Sequence, residues 1–293
     1  MPAKLLDGKK LAEDVRTALV PRIAALAARG VVPGLAVLLV GEDPASVSYV
    51  TAKEKACAEL GMKSFERRMP ASATEDEIVA QVSAFNADPA VHGILVQLPL
   101  PKGISETRVI EAISPEKDVD GFTPVNIGRM VIGQPCFLPC TPHGVIKLIE
   151  IAGVKTAGSH AVIVGRSNIV GKPLANLLAR KSINATVTVC HTGTRDLAEH
   201  TRTADILIAC AGVPERIKAE LVKPGGWVSD VGVNRVDDTS KAKGWRLVGD
   251  VDFAAVQDGA GFITPVPGGV GPMTITMLLY NTVESAEKAA GTA

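Results

Sequence analysis

The sequence predicts an α/β protein of two domains, each built on a mostly parallel sheet. Apolar runs of strand length alternate with segments of helical spacing, and the alternation restarts at His160 after an irregular stretch. The chain has 293 residues, more than one hydrophobic core usually serves. Hydrophobic residues make up 46% of it but aromatics only 3%, so the core is aliphatic, as in parallel sheets covered by helices.

Residues 9–29 carry Leu11, Val15, Leu19, Ile23 and Leu26 at helical spacing, and Pro21 is expected to kink or split that helix. Residues 34–40 read as a buried strand. The following helix is marked at both ends: Asp43 can cap the first-turn N–H groups, Pro44 suits the first helical position, and Gly61 can take the left-handed conformation that ends it. On a helical wheel Ser48, Thr51, Lys55 and Glu59 form a polar face. Lys53 lies instead among Tyr49, Val50, Ala56, Cys57 and Leu60, about 200° from Lys55 at roughly 100° per residue. Two readings of that placement stand on the helix alone. Lys53 snorkels, with its stem against apolar neighbours and its head in water. Alternatively it forms the floor of a cleft, where desolvation lowers its pKa and suits it to proton transfer.

Residues 64–69 read as a weaker strand. Thr74 and Glu77 form a capping box that opens a helix with Ile78, Val82 and Phe85 inward. A strand over 91–97 runs into Leu98-Pro-Leu-Pro101, and Ser105 caps a short helix through Ile113. Residues 115–124, with Asp118 and Asp120 beside Gly121 and prolines at both ends, form a loop that is either a plain turn or a binding segment. Thr141-Pro142 begins a helix that Gly153 ends, and this helix bridges the domains.

The second half reads as a mononucleotide-binding unit of the Rossmann sort. His160–Gly165 is a strand that leads through Arg166-Ser-Asn-Ile-Val-Gly171-Lys-Pro173 into a helix over 174–181. Gly165 and Gly171 allow a close turn, and the helix N-terminus would face a pyrophosphate, although the spacing departs from G-x-G-x-x-G. Further strands cover 185–190, 205–210 and 227–231. After the second strand an acid would hold the ribose hydroxyls of NAD. Here stand His191, Thr192, Gly193, Thr194 and Arg195, and Arg166 supplies a second guanidinium for a 2′-phosphate, so NADP is favoured over NAD. Asp196, close by, argues the other way. Near the C-terminus Gly268, Gly269 and Gly271 let backbone approach a ligand, Pro272 opens a last helix, and the tail after Glu284 is expected to fray.

The 31 basic and 31 acidic residues balance and no block of like charge stands out, so nothing points to nucleic acid or an anionic membrane surface. No apolar run spans a bilayer, and the N-terminus shows no signal-peptide core. Five cysteines (57, 136, 140, 190 and 210) include no Cys-x-x-Cys pair and are read as reduced thiols in a cytoplasmic protein without a metal site.

Five segments, in order along nearly the whole chain, carry a resemblance. They are residues 48–53 (Ser-Tyr-Val-Thr-Ala-Lys), 93–101, 115–122 (Pro-Glu-Lys-Asp-Val-Asp-Gly-Phe), 165–173 and 264–274 (Thr-Pro-Val-Pro-Gly-Gly-Val-Gly-Pro-Met-Thr). On these the chain resembles the bifunctional methylenetetrahydrofolate dehydrogenase/cyclohydrolase family. The resemblance implies an N-terminal α/β substrate domain (1–140 plus 266–293) and a Rossmann-type NADP-binding domain (141–265), with a cleft between them. It implies oxidation of methylenetetrahydrofolate with NADP⁺, hydrolysis of the methenyl product to 10-formyltetrahydrofolate, tetrahydrofolate derivatives with or without polyglutamate tails as substrates, and a homodimer.

Residue by residue, the resemblance makes Lys53 the general acid/base, with Gln97 bonded to it or to substrate. Tyr49 lies against the folate ring and Asp120 on the amino-pyrimidine, while Val96, Leu98, Pro267, Gly268 and Gly269 line the substrate. Gly165, Arg166, Ser167 and Thr192 hold the NADP phosphates and the Val233 main chain the nicotinamide. Thr192 stands where relatives often carry serine, and it keeps the hydroxyl. Two rivals remain. One is a shikimate-type NADP dehydrogenase, against which the Tyr49, Lys53, Gln97 and Asp120 set and the C-terminal glycines argue. The other is a catalytically silent dinucleotide-binding regulator, which would need no lysine on an apolar helix face.

Overall fold

A computed structural model describes residues 2–241 and 243–292, with Ala45 described at its backbone alone. In chain order the elements are β1 (Lys4–Leu5), α1 (Gly8–Ala27), β2 (Gly34–Val40), α2 (Pro44–Glu59), β3 (Lys63–Met69), α3 (Glu75–Ala87), β4 (Gly93–Val96), α4 (Glu106–Glu111), α5 (Pro124–Ile132) and α6 (Cys140–Ile151). They continue with β5 (His160–Val164), α7 (Gly171–Ala179), β6 (Thr186–Cys190), α8 (Leu197–Thr201), β7 (Ile206–Ala209), β8 (Trp227–Asp230), β9 (Asn234–Asp237), β10 (Trp245–Val248), α9 (Phe253–Val256), β11 (Phe262–Ile263) and α10 (Val270–Ala289). The chain divides into two compact units, Asp14–Cys140 with Ile275–Ala293, and Met1–Glu13 with Thr141–Thr274.

The first of these units holds a three-stranded parallel sheet in the order β3-β2-β4. β2 is buried along its whole length, which explains its unbroken aliphatic run. α2 starts as its sequence dictates: the Asp43 carboxylate accepts from the Ser46 N–H at 2.8 Å, with Pro44 beside it at the helix start. α3 opens on the Thr74–Glu77 capping box, with both reciprocal bonds made.

Two local expectations are corrected. Pro21 does not split α1, which runs as one helix of 20 residues; the proline is exposed, so its missing N–H falls where water can serve the freed carbonyl. The tail after Glu284 does not fray, because α10 runs to Ala289 and its last turns are tied down. Ser285 Oγ donates to His92 O at 2.6 Å, and the Arg22 guanidinium grips Glu287 through two bonds of 2.9 and 2.6 Å. One turn earlier the Asn281 amide donates to Val119 O (2.8 Å) and Leu138 O (3.0 Å), fastening two loops to one helix.

The second unit holds six parallel strands in the order β1-β11-β8-β7-β5-β6. Residues 1–13 belong here and not with the N-terminal half, because β1 pairs in parallel with β11, Lys4 opposite Phe262. The chain leaves β5 toward β6 and returns to β7 on the other side. Between β5 and β7 the order therefore reverses, and the carboxyl ends of those strands form the crevice where doubly wound sheets bind ligands.

Asn281→Ala should lower unfolding stability by about 2 kcal/mol or more, since it strands two carbonyls that the amide now satisfies. Urea denaturation of the variant checks this; a loss below roughly 0.5 kcal/mol would show that water serves both groups equally well.

Candidate active site

In the 14–140 unit the functional side chains gather at the carboxyl ends of β2 and β4. β4 ends at Val96, and Gln97 follows, held in register by its N–H to Leu38 O at 2.9 Å. From α2 the half-buried Lys53 reaches across, and its Nζ donates to Gln97 Oε1 at 2.9 Å. Gln97 Nε2 donates in turn to Leu98 O at 2.7 Å, which fixes the amide so that its oxygen faces the ammonium. Burial pulls the Lys53 pKa below its ordinary value, while the charge of Asp120 pushes it back up. Asp120 shows the mirror case. Burial pushes its carboxyl up to about 6, the Lys53 ammonium opposes this, and the neighbouring Asp118 adds to it.

Asp118 is the organiser of the loop that carries Asp120. Its carboxylate accepts from the N–H groups of Gly121 (3.0 Å), Phe122 (3.1 Å) and Thr123 (2.8 Å) and from Asn126 Nδ2 (2.9 Å). Four donors hold the Asp118 carboxylate in place beside Asp120. Cys140 closes the group: its Sγ donates to Val119 O at 3.3 Å, and burial together with Asp120 pushes its pKa well up, so it stands as a neutral thiol. Tyr49, expected to face inward with Lys53, is 45% exposed. It sits one helical turn before Lys53, so the ring is open to a ligand while the ammonium is held. Val96 is buried and Leu98 half-buried. A cavity of this unit, about 700 Å³, opens elsewhere, among Val31, Val91, Arg129 and Phe137, and contains neither Lys53 nor Asp120.

Pro267, Gly268 and Gly269 lie in the other unit, after β11, with Gly268 at φ +108°. There the turn after β5 is tight. A Cβ on Gly165 would stand 2.3 Å from Cys210 O at the end of β7, and one on Gly171 2.2 Å from Gly165 O. The Ser167 hydroxyl accepts from Val170 N–H (3.2 Å) and Gly171 N–H (3.4 Å), which shapes the entry into α7. Arg166 and Arg195 are exposed and make no side-chain hydrogen bond or ion pair among the described residues, and Thr192 is exposed beside them. Asp196 is otherwise engaged: it caps α8, accepting from Glu199 N–H at 3.4 Å. Ile169, Val213 and Val233 are exposed apolar residues, 43, 46 and 44% accessible, one in each loop after β5, β7 and β8. Backbone that approaches closely, free guanidiniums and open apolar side chains at a switch point suit a phosphorylated dinucleotide. No group of three or more His, Cys, Asp or Glu able to hold a metal is found among the described residues.

Two family models account for these two halves. The tetrahydrofolate dehydrogenase/cyclohydrolase catalytic domain matches residues 6–120, and the NAD(P)-binding domain of the same family matches residues 139–290. The chain belongs to the tetrahydrofolate dehydrogenase/cyclohydrolase family. The bifunctional protein FolD of Geobacillus kaustophilus is 57% identical over 290 residues, covering 99% of both chains. Among solved structures, bifunctional FolD from Campylobacter jejuni is 47% identical over 98% of this chain and 99% of its own, with a TM-score of 0.93. The Trypanosoma brucei enzyme, solved with NADP cofactor and an inhibitor, is 40% identical over 99% of each chain, with a TM-score of 0.95. Membership of this family sets aside the shikimate-type rival.

Sequence reading missed Asp118, Cys140 and Asn281 as parts of this family site. For Asp118 a signal existed, since an aspartate three residues before a glycine is an Asx-turn pattern. For Cys140 and Asn281 none did, because their partners are distant in sequence.

With a folded value near 6 against about 3.9 unfolded, Asp120 binds its proton more tightly in the folded state. Its contribution to stability is therefore full below about pH 4 and lost as pH rises through about 6. Asp120→Asn should remove this decline, so the variant should gain stability relative to the parent between pH 4 and 7. Urea midpoints across that range test it, and a constant offset would show that Asp120 is not desolvated.

Proposed function

We propose that this chain oxidises 5,10-methylenetetrahydrofolate to the methenyl cation with NADP⁺ and hydrolyses that cation to 10-formyltetrahydrofolate. The observation that carries the reading is the Lys53–Gln97 contact beside Asp120, in a family of bifunctional dehydrogenase/cyclohydrolases. NADP⁺, when bound, accepts the hydride. The protein's part in that step is to hold two rings in contact, which requires positioning more than acid–base help. For the nucleotide, Gly165, Arg166, Ser167 and Thr192 hold the phosphates and the Val233 main chain the nicotinamide. The engagement of Asp196 in capping leaves Arg166 and Arg195 to favour NADP over NAD.

Hydrolysis needs a base and then an acid. Lys53, with its pKa lowered by burial, takes a proton from the attacking water as the neutral amine and returns it to the ring nitrogen that leaves. Gln97 orients the ammonium through its Oε1. Asp120 accepts two N–H bonds from the amino-pyrimidine, and its charge keeps the lysine protonated often enough to act as acid. Tyr49 lies against the folate, and Val96 and Leu98 line it. Substrates include polyglutamylated forms. The working state is a cytoplasmic homodimer joined through the nucleotide-binding units; no described helix is long and apolar enough to cross a membrane.

Lys53→Met should abolish methenyl hydrolysis above the uncatalysed rate while the fold, followed by circular dichroism, is kept. Hydrolysis at a near-normal rate would remove the acid/base role. Arg166→Gln should raise KM for NADP⁺ about tenfold or more and leave that for NAD⁺ nearly unchanged. Equal effects on both would place the guanidinium away from the 2′-phosphate.

A further inference from the structure

Two buried carboxylates in the nucleotide-binding unit have no part in the chemistry above, yet one bonds the backbone next to Val233, the proposed nicotinamide contact, and the other bonds the backbone of Ala211 and Gly212. Asp230 closes β8 and is 3% exposed; Asp250, in the segment after β10, is fully buried. Asp230 Oδ1 accepts from Gly232 N–H (3.0 Å) and Asp250 N–H (2.9 Å), and its Oδ2 accepts from Val251 N–H (2.9 Å). Asp250 Oδ2 accepts from Ala211 N–H (2.6 Å) and Gly212 N–H (2.8 Å), and its Oδ1 accepts from Asn234 Nδ2 (2.8 Å). The fit is close: a Cβ on Gly249 would stand 1.7 Å from Asp230 Oδ2. The two side chains thus lock together the loop after β7, the loop after β8 and the strand end at 249–251. The first two of these loops carry the exposed Val213 and Val233.

We infer that Asp230 and Asp250 are a positioning pair that sets the backbone of the Ala211–Gly212 and Gly232–Val233 loops for the nicotinamide half of the dinucleotide. This rests on the dinucleotide reading of the unit. Neither residue touches the cofactor; both act through main chain that does.

The hydrogen-bond pattern separates the two by chemistry. Both oxygens of Asp230 face backbone N–H groups. An asparagine there must turn its own NH₂ against a donor whichever way the amide lies, leaving that donor buried and unpaired. At Asp250 only one oxygen faces backbone donors. The other faces the Asn234 amide, which makes no other side-chain hydrogen bond among the described residues and can turn over to present its oxygen. Asparagine is therefore tolerated at 250 and not at 230, although both changes remove one charge and keep the shape.

The test uses the full-length protein and the variants Asp230→Asn, Asp250→Asn and Asp250→Ala. NADPH binding is read by its fluorescence, KM for NADP⁺ by dehydrogenase assay, and methenyl hydrolysis as a separate activity. Asp230→Asn and Asp250→Ala should each weaken NADPH binding and raise KM for NADP⁺ about 10- to 100-fold, with hydrolysis kept. Asp250→Asn should stay within about threefold of the parent, well under the cost of an unpaired buried donor. Wild-type NADPH binding by Asp230→Asn, or equal losses in the two asparagine variants, would overturn the pair. If Asp230→Asn fails to fold, the contrast between Asp250→Ala and Asp250→Asn decides, and parallel loss of binding and hydrolysis would reduce the pair to a structural role. A parent protein that hydrolyses the methenyl compound but binds no NADPH would instead overturn the dinucleotide reading, and the pair's role with it.

Discussion

A lysine held half out of water is the constraint around which the 14–140 unit is arranged. Burial pulls the Lys53 pKa down and the Asp120 pKa up. Each charge moderates the shift of the other, and the Gln97 oxygen gives the ammonium a fixed direction. Such a group is costly unless its partners are in place before it is buried, so the surroundings must be rigid. The structure supplies that rigidity from outside the contact. Asp118 ties four donors, Asn281 pins the carbonyls of Val119 and Leu138, and the fully buried β2 sets the spacing between α2 and β4. A lysine so supported has its head held against Gln97 by its surroundings.

Much of this was legible in the sequence, and the divide between read and unread follows the range of the interactions. Local chemistry was readable because cause and effect lie within one turn. Asp43-Pro44 started a helix, Thr74 and Glu77 closed a box, and the wheel position of Lys53 marked it as out of place before any partner was known. Gln97 as a partner of the lysine came only from family resemblance, and the nearness of Asp120 to it was not read at all, since residues 44 and 67 positions away leave no mark in the periodicity of a helix. The pairing of β1 with β11 joins the two ends of the chain, so composition could not assign residues 1–13 to the second unit. Pro21 was over-read, because the rule that proline breaks helices assumes that the freed carbonyl is cut off from water. The C-terminal turns were under-read, because polar residues such as Ser285 and Glu287 look like a frayed end until their distant acceptors and donors are known.

The nucleotide-binding unit handles its buried acids differently from the catalytic one. Asp120 has a counter-charge in Lys53 and keeps acceptor capacity for a ligand. Asp230 has no lysine or arginine bonded to it. Burial and the nearby Asp250 push its pKa up to about 7, and only three backbone N–H groups pull it down. An acid in that setting serves shape: both its oxygens accept from main chain. The distinction is chemical. A carboxylate beside a cation can bind and tune, whereas one bonded to backbone donors through both oxygens mainly holds. By that criterion Asp118 and Asp230 correspond across the two units. Each is a carboxylate bonded to several backbone N–H groups close in sequence to a candidate site group, Asp120 in one case and the Val233 main chain in the other.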